Sequence, residues 1–452
     1  MKALTKERFD ALCRSRQPTA DYVSREVEWF SDADERVLGT LLFDTVDDDW
    51  ATIILGRDEA GVFRCIDVDS CIASQNEARQ RLKERLEKHS LTGQKTFPQG
   101  DVKKPTIDLF TPVAPTASLN PHFKILSQGE HHSSAREILT ELVQTFVDVD
   151  GNFVRDFQTT GFNARLWEIY LSVFLYEQRF NLTREFASPD FLGHKDGFPI
   201  GIEAVTVNPT AGEPPPKPKN DEELKALREE YMPIKFGSAM FSKMKKRYWE
   251  LPHMQGLPFV LAIHDFCVDD SMTWSAPAIN DYLYGLRATW HKDESGVLHI
   301  QDNPIQDHRW GSKPPLPSGF FNQPETEHVS AVLFSNSATL SKFGRMGKLA
   351  GFGSPRVKMI RVGTRPNADR NSTEPLHFST EVEPGKYSES WSEGVQFFHN
   401  PRALLPIPPA AFPKCAHHFL RDGRRVHFAP DEFVFSSHTL ILTPKNEAEP
   451  PR

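Results

Sequence analysis

Three acidic residues stand in stretches of sequence that are otherwise apolar. Glu168 interrupts an apolar run at residues 163–177, Asp190 begins a short apolar stretch, and Glu203 is surrounded by Gly, Ile, Ala and Val. A carboxylate in such surroundings is unfavourable unless it meets a cation, a metal ion or water, and strands are depleted of acidic residues. Clustered carboxylate oxygens are the ligands that Mg²⁺ prefers, and bound Mg²⁺ can hold phosphate oxygens and activate water. We therefore expect the three acids to converge on one Mg²⁺ (or Mn²⁺) ion.

The local pattern places these acids on a helix and a hairpin. Residues 163–177 are apolar almost all round and contain no Gly or Pro, which predicts a buried helix. Short strands are predicted at 189–192 and 199–207, with a turn at Lys195-Asp196-Gly197 between them. The near-continuous apolar run at 258–266 predicts a strand in a sheet that is covered on both faces.

The order of these residues resembles the PD-(D/E)XK nuclease superfamily. The matching features are Glu168 on a helix, a Pro-Asp pair at Asp190, and Glu203-Ala204 inside an apolar strand. The resemblance implies an α/β (α+β overall) fold, with a restriction-endonuclease-like mixed sheet flanked by helices. It implies that Asp190, Glu203 and the Ala204 carbonyl bind the catalytic metal and that Glu168 supports it. The implied function is a metal-dependent nuclease that hydrolyses phosphodiester bonds, with DNA as the expected substrate.

One residue departs from the pattern of that superfamily. The family has a Lys two residues after the strand acid, where it orients or activates the attacking water, and Val205 stands at that position here. The segment resembles a bacterial branch in which Glu-Ala-Val replaces Glu-x-Lys. Strand side chains alternate, so Val205 shares the face of Glu203. A helix predicted at 234–250 can supply the missing Lys, and Lys243, on the border of its apolar stripe, is the first candidate, ahead of Lys246.

Other interpretations stay open at this point. Without the Lys, the domain could be a catalytically inactive nuclease-like module that binds nucleic acid or another protein, and Val205 favours this interpretation. It could also be a defence-type effector nuclease that a partner activates. Glu168 could form a buried structural ion pair instead of a metal site, for example with Arg165 on the same helix face.

Basic side chains are concentrated in two segments, although the net charge of the chain is −8. Residues 342–370 carry eight basic side chains and one acid, and residues 235–247 carry five basic side chains and no acid. The first segment is also rich in Gly, which predicts a mobile loop and a helix start that approach a phosphate backbone. We expect nucleic-acid affinity that falls steeply with salt. The expected nucleic-acid-binding residues are Lys246, Arg247, Lys342, Arg345, Lys348 and Arg356.

Four parts of the chain differ in composition. They are a small α+β domain at 1–90, a linker at 91–130, the nuclease-like domain at 131–400 and a Pro-rich C-terminal extension at 401–452. Further predicted strands lie at 37–45, 50–56, 62–68 and 328–334, and further predicted helices lie at 76–89, 133–146, 221–231 and 278–288.

The composition of the 452 residues is that of a globular chain, with 38% hydrophobic and 25% charged residues. The five Cys lack Cys-x-x-Cys spacing, and no apolar run approaches the roughly 18 to 20 residues of a membrane span. The charged start of the sequence does not enter the apolar region of a secretory signal. We therefore expect a cytoplasmic protein without membrane contact. A homodimer or a partner protein is compatible with the sequence.

Overall fold

The part of the chain that the structure describes contains helices and five β-sheets, which confirms the expected α+β class. The computed structural model describes residues 1–101, 106–146, 148, 151–183, 185–210, 212–268, 270–369 and 371–443. Among these residues, no helix has both the length and the apolar content that crossing a membrane requires.

The N-terminal part is an antiparallel sheet of five strands with one long helix packed on it. The strands are β1 (Lys2–Leu4), β2 (Ser24–Ser31), β3 (Val37–Asp44), β4 (Trp50–Arg57) and β5 (Phe63–Ile72), and the helices are α1 (Lys6–Leu12) and α2 (Gln75–Leu91). Ser74 caps α2, because its hydroxyl accepts a hydrogen bond from the Glu77 N–H. The meander and helix that the pattern predicts here are confirmed.

The central element is a mixed sheet of eight strands. Its strands are β6 (Asn181–Thr183), β7 (Phe191–Lys195), β8 (Phe198–Val207), β9 (Phe259–Asp265), β14 (Ala331–Phe334), β17 (Gln396–His399), β18 (Ala416–Arg421) and β19 (Arg424–Phe428). The spatial order is β19-β18-β17-β14-β9-β8-β7-β6. Strands β8, β9 and β14 run parallel to one another, whereas β6, β7 and β8 form an antiparallel meander. Every residue of β9 is buried, as its apolar run predicts.

Helices cover both faces of this sheet. The remaining helices are α3 (Pro121–Gln128), α4 (Ser133–Leu142), α5 (Phe153–Gln158), α6 (Phe162–Glu177), α7 (Asp221–Ala226), α8 (Met232–Met244), α9 (Ala276–Tyr284) and α10 (Leu340–Leu349). Trp167 of α6 packs with Ile202 and Ala262 on one face. Met240 of α8 packs with Val205 on the opposite face. The acids of the candidate site thus lie where α6 and α8 enclose β8.

The two helices predicted at 221–231 and 234–250 are nearly continuous. A π-helical turn at Leu227–Tyr231 joins α7 to α8 and precedes Pro233, whose missing N–H would break a regular α-helical ladder. The second helix ends at Met244, earlier than predicted, and Arg247 has the left-handed φ of 46°.

The described parts of the predicted linker and of the predicted C-terminal extension both belong to the folded core and sheets. Within 91–130, Leu109 and residues Phe123 and Leu126 of α3 are buried in the core that also holds Trp167. Strands β18 and β19 of the 401–452 segment belong to the main sheet. A three-stranded sheet forms from β15 (Lys358–Arg365), β16 (Leu376–Glu381) and β20 (Ser436–Leu442).

A hairpin replaces the end of the helix predicted at 278–288. Gly285, with a φ of 69°, ends α9. The chain then forms the antiparallel pair β10 (Leu286–Lys292) and β11 (Leu298–Pro304), followed by the short pair β12 (Asp307–His308) and β13 (Leu316–Pro317).

Candidate active site

Two hydrogen bonds join Asp190 to strand β8, and each runs from a backbone N–H to a carboxylate oxygen. Asp190 directly precedes β7, whose first residue, Phe191, pairs with Ile202 of β8. The Ala204 N–H donates to Asp190 Oδ2 at 2.7 Å, and the Asp190 N–H donates to Glu203 Oε2 at 3.3 Å. The antiparallel pairing of β7 and β8 therefore holds Asp190 and Glu203 side by side.

Glu203 is 3% exposed and is surrounded by hydrogen-bond donors. Lys243 Nζ from α8 donates to Glu203 Oε1 at 2.5 Å, and the Tyr248 hydroxyl donates to the same oxygen at 2.5 Å. With the Asp190 N–H on Oε2, three donors satisfy the buried carboxylate. The lysine that sequence reasoning chose thus reaches the strand acid directly.

Glu168 approaches from the other face of the sheet. It lies on α6, which packs against β8 on the face opposite α8, and it is 8% exposed. Arg165 Nη1 donates to both oxygens of Glu168 at 3.0 Å, and Arg165 Nη2 donates to Asp156 Oδ2 at 2.7 Å. The ion pair between Glu168 and Arg165, one of the two interpretations of this acid, is therefore present. Within the described ranges, no three His, Cys, Asp or Glu side chains form a group that could hold a metal ion.

The three acids nevertheless act on one another electrostatically. Burial, together with the negative charges of Glu203 and Glu168, raises the pKa of Asp190 to about 7. The Ala204 N–H and Lys243 oppose this rise only in part. Burial and the Glu203 charge also raise the pKa of Tyr248, so its hydroxyl stays protonated and remains a donor. The site therefore carries more negative charge than its own cations offset, and a bound cation would favour the ionised form of Asp190.

Two of the basic residues expected to bind nucleic acid are buried. Lys342 Nζ contacts Glu389 Oε1 at 2.6 Å, and Arg345 Nη2 contacts the same oxygen at 2.7 Å. Their side chains are 1% and 5% exposed. This burial corrects the expectation for Lys342 and Arg345, because neither cation can reach a phosphate backbone from inside the protein.

The Gly-rich part of the basic segment is also not a mobile loop. Its first half lies in helix α10, and Gly347 lets this helix lie directly against α4, since a Cβ at Gly347 would stand 2.2 Å from the Ser134 carbonyl oxygen. Gly353 has a φ of 85° and packs on Ser134 as well. The glycines therefore serve helix packing. Arg370, the last basic residue of the segment, lies outside the described residues.

The other four expected nucleic-acid-binding residues lie nearer the surface. Lys348 is half-buried and donates to the Val357 carbonyl at 2.7 Å. Arg356 is exposed and contacts Glu130 at 2.5 Å. The other two, Lys246 and Arg247, are exposed and follow α8 a few residues after Lys243. Arg247 contacts Glu250 at 3.1 Å and Glu325 at 2.7 Å. Lys246 and Arg247 are thus the expected residues that flank the acidic site.

Sequence reasoning missed Tyr248. It lies five residues after Lys243, beyond the end of α8, in a short 3-10 helix at Tyr248–Glu250. Its aromatic ring is typical of a core residue, and only the fold shows that its hydroxyl points at Glu203.

Comparison of the chain with protein-family models, with curated proteins and with solved structures found no match in any of the three.

Proposed function

We propose that this chain is a metal-dependent nuclease of the PD-(D/E)XK type that hydrolyses phosphodiester bonds in DNA. The observation that carries the proposal is the 2.5 Å contact between Lys243 Nζ and Glu203 Oε1. The family pattern requires a Lys beside the strand acid, and Val205 occupies the position where that Lys would stand. An ammonium group from α8 reaches the same carboxylate from the same face of β8. The chain therefore supplies the required charge from a neighbouring helix.

The order of elements also supports the proposal. Helix α6 carries Glu168, the meander of β6, β7 and β8 carries Asp190 and Glu203, and α8 carries Lys243. Strand β9 then pairs parallel to β8. This is the order of residues on which the resemblance rests, and a mixed sheet with helices on both faces is compatible with the restriction-endonuclease-like fold that the resemblance implies.

The donor chemistry of the site suits a hard divalent cation. The negative charges of Glu203 and Glu168 raise the pKa of Asp190, and a cation bound beside these carboxylates would offset that repulsion. Asp190, Glu203 and the Ala204 carbonyl would hold Mg²⁺ or Mn²⁺, with Glu168 supporting through water or as a further ligand. The bound ion would supply charge for the phosphate oxygens and acidify water.

The side chains of this chain have distinct parts in the reaction. Lys243 can orient the attacking water or stabilise the negative charge that develops on the phosphorane oxygens. Its ammonium group can do so while it still contacts Glu203 or after it has moved away from that carboxylate. Tyr248 keeps Glu203 in place while Lys243 does so, because its hydroxyl holds the same oxygen. Lys246 and Arg247 lie beside the site and can bind the phosphate backbone.

A second function is favoured by one observation. Glu203 is satisfied by three protein donors, and the described acids form no metal-holding group, which suits a nuclease-like module that binds nucleic acid without cutting it. In that case Lys243 is a structural counter-ion.

Cleavage assays separate the two functions. Supercoiled plasmid, single-stranded DNA and RNA are incubated with the wild type, Asp190→Asn and Lys243→Met in Mg²⁺ or Mn²⁺. If the chain is a nuclease, the wild type should cut in a metal-dependent way and Asp190→Asn should not cut. If it is a binding module, no form should cut, and all should bind nucleic acid with an affinity that falls with salt.

A thermal readout tests the metal without activity. Mn²⁺ should raise the unfolding midpoint of the wild type at pH 8, where Asp190 is ionised, and should have no effect on Asp190→Asn. Asp196→Asn, in the turn between β7 and β8, is the matched control and should respond as the wild type does. Equal Mn²⁺ shifts in the wild type and Asp190→Asn would count against the metal site.

A further inference from the structure

A second group of buried charges lies between α10 and the three-stranded sheet. Its members are three cations and two carboxylates, namely Lys342, Arg345, Arg361, Glu389 and Glu393. All five side chains are at most 10% exposed. Glu389 contacts Lys342, Arg345 and, at 3.6 Å, Arg361, while Arg361 contacts Glu393 at 2.5 Å. The group therefore holds one positive charge that no carboxylate of the group offsets.

An uncompensated buried charge is unfavourable, and burial itself lowers the pKa of Lys342 because desolvation disfavours its charged form. A cavity of about 330 Å³ adjoins this charge group. Arg345 and Arg361 line it, together with Thr339 and Ser341 at the N-terminal end of α10 and Ser437 and Thr439 of β20. Two carboxylates line it too: Asp270, which is exposed, and Glu393, whose side chain is 10% exposed and contacts Arg361. The walls thus combine buried guanidinium groups, hydroxyl donors and the positive end of a ten-residue helix.

Among the described contacts, neither guanidinium group uses all of its N–H donors. Each Arg has five N–H donors. Arg345 uses three of them, on both oxygens of Glu389 and on Thr439 Oγ1 at 2.6 Å. Arg361 directs its three nitrogens to Ser437 Oγ at 3.1 Å, to the Tyr387 hydroxyl at 2.9 Å and to Glu393. Within the described residues, each Arg thus has N–H donors left for an acceptor in the cavity.

We propose that this cavity binds a small anionic ligand whose phosphate or carboxylate group meets Arg345 and Arg361. The anion would offset the excess positive charge and accept the remaining N–H donors, as charge-assisted and bidentate contacts do. A volume of about 330 Å³ lies at the lower end of the range for small-molecule sites, which suits a metabolite of mononucleotide size or smaller. None of the acids around Glu203 lines this cavity, so the proposal does not depend on the nuclease.

The test measures unfolding midpoints and titration heats of the full chain. The probes are inorganic phosphate, adenosine monophosphate and succinate, with uncharged adenosine as the matched control for the nucleotide. At a concentration well above its dissociation constant, a bound anion should raise the midpoint by about 2 to 4 °C and give a saturable heat, whereas adenosine should do neither. Phosphate-bearing and carboxylate-bearing ligands are distinguished by which probe saturates.

One substitution supplies the missing negative charge from the protein itself. Ser437→Asp places a carboxylate beside Arg361 Nε, where Ser437 Oγ now accepts, and should raise the midpoint without ligand and remove the anion response. Ser379→Asp, exposed on β16, should keep the wild-type response. Phosphate also stabilises proteins non-specifically, and that effect would persist in Ser437→Asp.

Two outcomes would overturn the proposal. One is a Ser437→Asp response to anions equal to that of the wild type. The other is the absence of a saturable heat from all three anions with the wild type, which decides the question even if Ser437→Asp does not fold.

Discussion

Lys243 and Glu203 are 40 positions apart in the sequence, yet Lys243 Nζ lies 2.5 Å from Glu203 Oε1. The contact joins α8 to the middle of β8, on the face where Val205 also points. The Glu203 side chain is 4% exposed and that of Lys243 is 27% exposed. The Lys243 side chain is therefore partly open to solvent, although its ammonium group contacts a buried carboxylate.

Replacing Lys243 should lower both stability and cleavage. Lys243→Met leaves the buried Glu203 charge with two donors, and we expect the free energy of unfolding to fall by about 1 to 3 kcal/mol, less than for a fully buried pair because Lys243 is partly solvated. Cleavage of plasmid should fall by about 10²-fold or more if the ammonium stabilises the transition state. Denaturant unfolding and initial cleavage rates measure the two effects. Lys245→Met, an exposed lysine two residues further on, is the matched control, and unchanged cleavage by Lys243→Met would remove Lys243 from the mechanism.

Tyr248 should act through the position of Glu203. Tyr248→Phe removes one donor from a buried carboxylate, so we expect about 1 to 3 kcal/mol of destabilisation and a weaker response of the unfolding midpoint to Mn²⁺. Tyr282→Phe is the matched control, because the Tyr282 hydroxyl is buried in the same hydrophobic cluster with no hydrogen-bond partner among the described residues. If the Mn²⁺ response weakened equally in both variants, or stayed unchanged in both, the hydroxyl of Tyr248 would not be what positions Glu203.

The elements around the site could be predicted because their signals are local. The apolar run of α6, the turn at residues 195–197 and the continuous apolar run of β9 each specify one element. Lys243 could be chosen because its place on the border of the α8 stripe is set by helical periodicity alone.

Burial of charge could not be predicted from the same sequence. Lys342 and Arg345 read as a basic patch, since their counter-ion Glu389 lies more than forty residues away and meets them only through the fold. The glycines of α10 read as a loop for a similar reason, since Ser134, on which they pack, is more than two hundred residues away. Tyr248 was missed because the direction of a hydroxyl depends on how the chain turns at Arg247.

Lys342 should matter for stability and Lys246 for nucleic-acid binding. Lys342→Met leaves Glu389 paired with Arg345 but removes the donor of the Ser390 carbonyl, and we expect destabilisation of about 1 to 3 kcal/mol without a change in the salt dependence of DNA binding. Lys246→Ala should leave stability within about 0.5 kcal/mol and reduce the slope of log affinity against log salt by about one. Denaturant unfolding and fluorescence anisotropy at several salt concentrations measure these changes. If Lys342→Met reduced this slope and Lys246→Ala did not, Lys342 and not Lys246 would be the nucleic-acid contact.

Buried histidines should make the protein sensitive to mild acid. Burial lowers the pKa of His264, His399 and His418 to about 3 in the folded state, whereas an unfolded histidine titrates near 6.5. Below about pH 6.5 the unfolded chain therefore binds protons that the folded chain does not. The free energy of unfolding should fall as pH decreases, by up to about 1.4 kcal/mol per pH unit for each such histidine.

One hydrogen bond allows this acid sensitivity to be assigned. His417 Nε2 lies 3.0 Å from the Phe412 carbonyl and must donate to it, so its Nδ1 accepts from His399 Nε2 at 2.9 Å. His399→Gln keeps a donor but cannot take up a proton, and the slope of stability against pH between 4 and 6 should become shallower by about 1.4 kcal/mol per unit. His399→Phe should show the same slope with lower stability at pH 7, because Nδ1 of His417 loses its donor. Parallel curves for the wild type and both variants would assign the acid sensitivity to other groups.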